Sequence, residues 1–292
     1  MRGTQTLLYI CRDCWKDPGL LVRELLWRWT FAIPAGILAA FQLIRIAAHV
    51  PAELSNLSLT DPMQAGQQLT TVAATLKPEV TRLMYWLAPL LALAWSVAYG
   101  FGRTVVLRRL EPSLRSASWR IAGTLILLQL LRMAALFAAF LGWYSSIEWA
   151  ANVTLDSNPP NLVGWSAFVI LVSLGMFVLW ALLSWIFSIA PLLAALKSQG
   201  ALVSLTQSLR LGKLTGKLIE VNLVLGIVRL ALIVLAMVFS AIPLPFLTEA
   251  QGLALYLWWA VGALLYLAAG DFFQVVRLAA FVRFWRFYHQ TG

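Results

Sequence analysis

Apolar residues gather along this chain in six long runs, at 29–50, 83–106, 121–144, 162–182, 218–242 and 253–269, separated by shorter polar stretches. A helix rising 1.5 Å per residue needs ~20 apolar residues to cross a hydrocarbon layer ~30 Å thick, so each run predicts a spanning helix. The fourth run continues apolar to Leu196, too long for one straight crossing. Pro191 predicts a bend or an interfacial turn there, because a mid-helix proline removes a hydrogen bond and crowds the preceding turn. After residue 269 the last run continues through Phe272, Phe273, Val275, Val276, Leu278 and Phe281, with Arg277, Arg283 and Arg286 interleaved. That pattern predicts a helix leaving the membrane along its surface.

Three segments outside the runs are amphipathic. Residues 4–16 carry Leu7, Leu8, Ile10 and Trp15 and are expected to lie on the inner leaflet. Asp17-Pro18-Gly19 then reads as a helix start, with Asp17 as cap and Pro18 at the first helical position. Residues 51–82 form the largest outer loop, in which Asp61-Pro62 begins an amphipathic helix with Met63, Leu69, Val72 and Leu76. Residues 198–216 place Ala201, Leu202, Leu205 and Leu209 on one face, an interfacial helix ahead of the fifth span. All three read as ledges facing lipid rather than docking helices for a partner.

Composition agrees. The chain has 292 residues, 61% hydrophobic and only 12% charged, and a mean hydropathy of +0.81. Soluble domains carry about a quarter charged residues. Two or more water-soluble domains of this length, a disordered chain and a collagen-like chain are thereby excluded. Two cysteines exclude a disulfide-stapled scaffold. The fold class is an all-α polytopic membrane protein, six transmembrane helices arranged as three hairpins with interfacial amphipathic helices. One integral membrane domain covers 1–292: a cytoplasmic interfacial segment at 1–28, hairpins at 29–106 and 107–196, and a third hairpin with a basic C-terminal helix at 197–292.

The formal net charge of +10 would suggest nucleic acid in a soluble protein. No water-exposed basic stripe with interleaved aromatics exists here, so nucleic acid is not expected as a partner. The basic residues instead sort by connection. Arg2, Arg12, Lys16, Arg23 and Arg28 precede the first span; Arg103, Arg108, Arg109, Arg115 and Arg120 lie between the second and third. Lys197, Arg210, Lys213 and Lys217 lie between the fourth and fifth, and Arg277, Arg283 and Arg286 follow the sixth. The opposite side holds Lys77 and Arg82, and Arg45 if it reaches the surface, so the split is 17 to 3. Positive charge stays inside, which predicts both termini in the cytoplasm. Tryptophans concur: Trp27, Trp29, Trp119 and Trp285 fall near the inner interface, and Trp86, Trp143, Trp149, Trp165, Trp258 and Trp259 near the outer one. The charged first 25 residues do not read as a cleavable signal peptide, so the first span is expected to direct insertion.

A short pattern recurs. Residues 42–48 read Gln-Leu-Ile-Arg-Ile-Ala-Ala, residues 129–135 Gln-Leu-Leu-Arg-Met-Ala-Ala, and residues 226–231 Gly-Ile-Val-Arg-Leu-Ala. Each copy sits in an outward-running span. Gly100…Val105-Val106 is echoed by Gly270…Val275-Val276 in two returning spans. The repeating unit is then a helical hairpin, and its copies are related by an axis along the membrane normal. Matches at Leu, Ile and Ala carry little information in so apolar a chain; those at Gln and Arg carry most of it.

The repeat places Arg45, Arg132 and Arg229 inside spanning segments. A charge there costs ~2.5–3.5 kcal/mol on insertion scales. From Arg120 and Lys217, helical rise puts Arg132 and Arg229 each about 18 Å above the inner boundary; Arg45 lies nearer the outer surface. Polar neighbours share their faces: Gln42 and His49 with Arg45, Gln129 with Arg132, and Asn222 with Arg229. Three readings stand. The guanidinium groups snorkel or hold the bundle together; they line a basic cavity for an anionic headgroup or carboxylate, which guanidinium binds bidentately; or they pair with a partner subunit. Glu220 and Asp271, near the inner ends of the last two spans, are expected to pair with Arg103 or Arg277.

No catalytic signature is present: no glycine-rich phosphate loop, no His-Glu-x-x-His and no nucleophile elbow. Cys11 and Cys14 form a lone Cys-x-x-Cys with no second pair for zinc and no following His for haem, kept reduced in the cytoplasm. His49 and His289 are too far apart in sequence to read as a metal pair. Asn56-Leu57-Ser58 and Asn152-Val153-Thr154 match glycosylation acceptors, as frequent tripeptides do by chance. The chain is expected to be non-enzymatic, with no cofactor and no metal.

At 198–230 the amphipathic helix with Gly200-Ala201-Leu202 and Ser208-Leu209-Arg210 leads into a span. This stretch resembles the YciC-like proteins and the membrane domain attached to some glycerophosphodiester phosphodiesterases. The resemblance covers about thirty residues and otherwise topology. It implies a six-helix protein of a bacterial inner membrane and transfers no functional residue; no catalytic domain follows, so phosphodiester hydrolysis is not carried over. The function expected is binding or helping to move an anionic lipid or amphiphile, with Arg132 and Arg229 as anchors and Arg45, Gln129 and Asn222 assisting. Membrane lipids are the expected partners. The alternatives are a structural or accessory subunit that travels with membrane-protein partners and, more weakly, a small-molecule transporter, which would want unwound helices at mid-membrane.

Overall fold

The computed structural model describes residues 3–48, 62–111, 118–154, 161–209, 213–241 and 253–290. These residues form eight α-helices and no strand: α1 (Gly3–Lys16), α2 (Pro18–Ala47), α3 (Pro62–Leu110), α4 (Ser118–Thr154), α5 (Leu162–Lys197), α6 (Ala201–Ser208), α7 (Lys213–Ala241) and α8 (Leu253–Gln290). Six of them, α2 to α5, α7 and α8, are long and apolar enough to cross a membrane.

Local chemistry sets the helix ends. Asp17 precedes Pro18, whose missing N–H would have been unpaired in a first turn anyway, and the Leu20 N–H donates to the Asp17 carbonyl at 3.1 Å. Asn161 caps α5 by accepting the Gly164 N–H on Oδ1 at 2.8 Å. At the other end Ser198 adopts φ 51°, and the Gln199 N–H reaches back to the Ala194 carbonyl at 3.2 Å. That is the left-handed termination usually given to glycine.

Several expected elements run on. The helix begun at Pro62 does not stop before the second span; α3 is one helix to Leu110, through Pro78 and Pro89. α5 continues through Pro191 to Lys197 without a turn. The last helix runs on as one piece from Leu253 to Gln290. In α8, Val275, Val276, Ala280, Phe281 and Val282 are among the most buried residues. The α6 face differs too: Ala201, Ser204 and Ser208 are buried, while Leu202 and Leu209 point outward. Ala201 and Leu205 join Leu128, Ala190 and Ala194 in one cluster, so α6 docks on α4 and α5. The small residues Ala190, Ala194 and Ala201 admit that close approach.

The chain divides into two compact units, one comprising Met1–Leu26 with Gly100–Gly292 and the other Trp27–Tyr99. In the first, the core is built at 103–107, 121–129, 187–195, 218–225 and 271–282, together with Ile10 and Cys14 of α1 and with α6. Each patch is the helix end adjoining a basic connection or terminus. Farther along the same helices Leu171, Leu235 and Leu265 are each more than 60% exposed. In water each would forgo about 1.5–3 kcal/mol of burial; hydrocarbon removes that cost, which is why these helices need no protein partner on that side. In the second unit α2 packs on α3 through Trp27, Phe31, Trp95 and Tyr99, with Phe31 and Trp95 ring centres 5.2 Å apart.

Ion pairs ring the buried end of the first unit. Asp13 meets Arg283, Asp17 meets Arg109 at 3.5 Å, and Glu111 meets Arg286 at 2.6 Å. The Arg286 Nη2 also donates to the Leu110 carbonyl at 2.9 Å. Exposed pairs of this kind contribute little singly. Glu24 and Arg103 differ: they pair at 3.2 Å with side chains 0% and 2% exposed.

Candidate functional site

The polar groups of α7 and α8 meet where the apolar sequence makes such groups costly. The Arg229 Nη2 donates to Oε1 of Gln274 at 2.7 Å, and Gln274 is buried. An amide in an apolar helix loses several kcal/mol without a partner, and an arginine of the facing helix is the strongest donor available to it. Sequence reasoning missed Gln274. The signal was present: a Gln set among Phe272, Phe273, Val275 and Val276 needs a partner.

Between the same two helices lies an apolar cavity of about 360 Å³, lined by Ile233, Ala236 and Met237 of α7 and by Trp259, Gly262 and Tyr266 of α8. Ile233 and Ala236 follow Arg229 at i+4 and i+7 and share its face. Gly262, Tyr266, Gly270 and Gln274 form one i, i+4 row of α8. The far end is closed by aromatic rings: Phe239 and Trp258 stack at 3.9 Å, and the Trp258 Nε1–H donates to the Phe239 carbonyl at 3.0 Å. Glycine at 262 is required for that closure, because a Cβ there would lie 2.8 Å from the Phe239 ring. The polar pair, the apolar slot and the aromatic stack all lie between α7 and α8.

The other sequence-selected residues are distributed as follows. Asn222 is half-buried on α7, two turns before Arg229. Gln129 is buried on α4, and Arg132 is half-buried one turn further on. No hydrogen bond or ion pair of Arg132 is found among the described residues. Arg45 lies in the last turn of α2, exposed, and shares a polar cavity with Gln42, Glu79 and Arg82. His49 and Asn56 lie outside the described residues. The three arginines therefore have different surroundings. So do the glycines of the fainter echo: a Cβ at Gly100 would lie 2.2 Å from Ile126 and 2.9 Å from the Ala122 carbonyl, while one at Gly270 meets nothing within 4 Å.

Asp271 is buried and Glu220 half-buried. Arg103, expected to serve one of them, pairs with Glu24. Sequence reasoning saw Glu24 only as one charge of a polar leader; its place on the α2 helix, facing a charge inside the second apolar run, was the missed signal. The thiols are quiescent. Burial pushes the Cys11 thiol up and the Cys14 thiol up to about 11, the latter helped by Cys11 and opposed by Arg283. Neither is a nucleophile near neutrality. Among the described residues no group of three His, Cys, Asp or Glu is placed to hold a metal ion.

Comparison with known protein families, with characterised proteins and with solved structures finds no match to this chain.

Proposed function

We propose that this protein binds, and helps to move, an anionic lipid or amphiphile, with a headgroup carboxylate or phosphate at Arg229 and its alkyl chain in the slot between α7 and α8. The observation that carries the reading is the Arg229–Gln274 hydrogen bond between the same two helices that enclose an apolar cavity, whose lining on α7 begins at Ile233, one turn beyond Arg229. Guanidinium holds carboxylate and phosphate bidentately, and an apolar slot of a few hundred Å³ is the usual size of a small-molecule site. Gln274 orients the guanidinium. Arg132 is the second anchor, with Gln129 and Asn222 assisting; Arg45 serves at the end of α2. The protein is non-enzymatic in this reading, built of three helical hairpins in a bacterial inner membrane with both termini cytoplasmic.

Gentle extraction followed by mass spectrometry of lipids and proteins together tests it. Anionic lipid or fatty acid retained in stoichiometric amount supports the reading. Companion proteins at fixed stoichiometry with no retained anionic lipid would refute it in favour of an accessory subunit of a larger membrane complex.

A further inference from the structure

A second cavity, of about 310 Å³ and lined mostly by polar atoms, lies wholly within the Trp27–Tyr99 unit, between the last turns of α2 and the stretch of α3 that faces them. Gln42, Arg45 and Ile46 supply one wall and Glu79, Arg82, Leu83 and Trp86 the other. The spacing is helical on both sides, i, i+3, i+4 on α2 and i, i+3, i+4, i+7 on α3, so each wall is a single helix face. Two guanidinium groups, one carboxylate, one indole and one amide converge there. Arg82 and Glu79 are solvent-exposed, as groups at headgroup level are, and Trp86 is a residue type favoured at that level.

This set is complementary to a zwitterion rather than to a simple anion. Two guanidiniums suit a phosphodiester, whose oxygens accept paired N–H bonds. A carboxylate within the same cavity repels a second negative charge but accepts hydrogen bonds from a primary ammonium, and the indole face attracts that cation. A glycerol headgroup carries no cation to satisfy Glu79. A quaternary ammonium can meet Trp86 but has no N–H to give Glu79. Leu83 and Ile46 add an apolar part to the lining, which favours a membrane lipid over a soluble phosphate. We infer that this cavity is a headgroup site for a phospholipid bearing a primary amine, with the phosphate at Arg45 and Arg82 and the ammonium at Glu79 and Trp86. The inference shares Arg45 with the preceding reading and otherwise takes from it only that the chain spans a bilayer; it uses neither Arg132 nor Arg229.

The full chain in mild detergent is titrated with phosphatidylethanolamine, phosphatidylglycerol and phosphatidylcholine, and bound lipid is read by native mass spectrometry. Wild type is expected to prefer phosphatidylethanolamine by about tenfold, the scale of one charge-assisted hydrogen bond. Glu79→Gln should erase that preference while leaving phosphatidylglycerol binding no weaker. Arg82→Gln should weaken phosphatidylethanolamine and phosphatidylglycerol alike. Arg132→Leu/Arg229→Leu should retain the preference, which separates this site from the α7–α8 slot. A Glu79→Gln protein that still prefers phosphatidylethanolamine, or a double-Leu protein that loses the preference, overturns the inference. Competition by soluble phosphoethanolamine at equal concentration would overturn its assignment to lipid.

Discussion

Glu24 and Arg103 offer the sharpest test of how the first unit is held together. Their side chains are 0% and 2% exposed, with Arg103 Nη1 3.2 Å from Glu24 Oε1. At that separation two unit charges attract by about 5 kcal/mol at an effective dielectric of 20. The pair also lost its hydration on burial, so this attraction is not its net contribution. Replacing Glu24 with Gln removes the attraction and leaves the guanidinium buried against a neutral amide, at a cost of ~3–5 kcal/mol. That is a large share of the ~5–15 kcal/mol by which domains are typically stable. Glu24→Leu/Arg103→Met removes both charges and keeps the volume, and should recover most of the loss, to within about 2 kcal/mol of wild type. The assay is denaturant unfolding of the full chain in mild detergent, followed by helical circular dichroism. A Glu24→Gln protein within about 1 kcal/mol of wild type would refute the argument, as would a double variant no better than the single one.

Helix contacts through glycine give the next test: Gly100→Ala, with its Cβ at 2.2 Å from Ile126 and 2.9 Å from the Ala122 carbonyl, should cost at least ~1–3 kcal/mol by overpacking. Gly270→Ala, which meets nothing within 4 Å, should be neutral or stabilise by up to about 1 kcal/mol; both are read by the same unfolding assay. Gly262→Ala, by pushing on the Phe239 ring at 2.8 Å, should open the aromatic stop and reduce retention of a bound amphiphile. Ser198→Gly, at φ 51°, should stabilise by up to about 1 kcal/mol, because glycine carries no Cβ penalty there. The Cys14 thiol, raised from 9.0 to about 11, should alkylate at pH 8 about a hundredfold more slowly than an unburied thiol, with its rate still rising as pH passes 10. A rate that levels off near pH 9 would contradict the burial of Cys14.

The helices were legible because a spanning helix must write its apolar character over some twenty residues, and nothing else in the sequence competes with that signal. The Asp17-Pro18 boundary was legible for the same local reason. Helix extent was not: α8 continues past its apolar run because its residues there are buried in the core of the first unit, while α3 extends back to Pro62 through residues 77–82, all exposed, where no apolar run marks it. In α8, Phe281 and Val282 look interfacial in sequence, with Arg277 and Arg283 nearby, and only α1 and the neighbouring helix ends explain why they are buried. Polar pairing was the least legible. The arginines were found as costly charges, but Gln274 and Glu24 became partners through helix registers that no single segment contains. The α6 face was misjudged because Ser204 and Ser208 are small enough to sit against alanines, so burial there follows size rather than hydrophobicity.

The central claim, that Arg132 and Arg229 hold an anionic amphiphile, is tested most directly by counting lipid on purified protein. Wild type and Arg132→Leu/Arg229→Leu are extracted in parallel under the same gentle conditions, and bound anionic lipid per chain is measured by native mass spectrometry. Wild type should carry about one more anionic amphiphile per chain than the variant, on which only lipid at the α2–α3 cavity remains, with helical content unchanged. Equal anionic lipid on both proteins would contradict it.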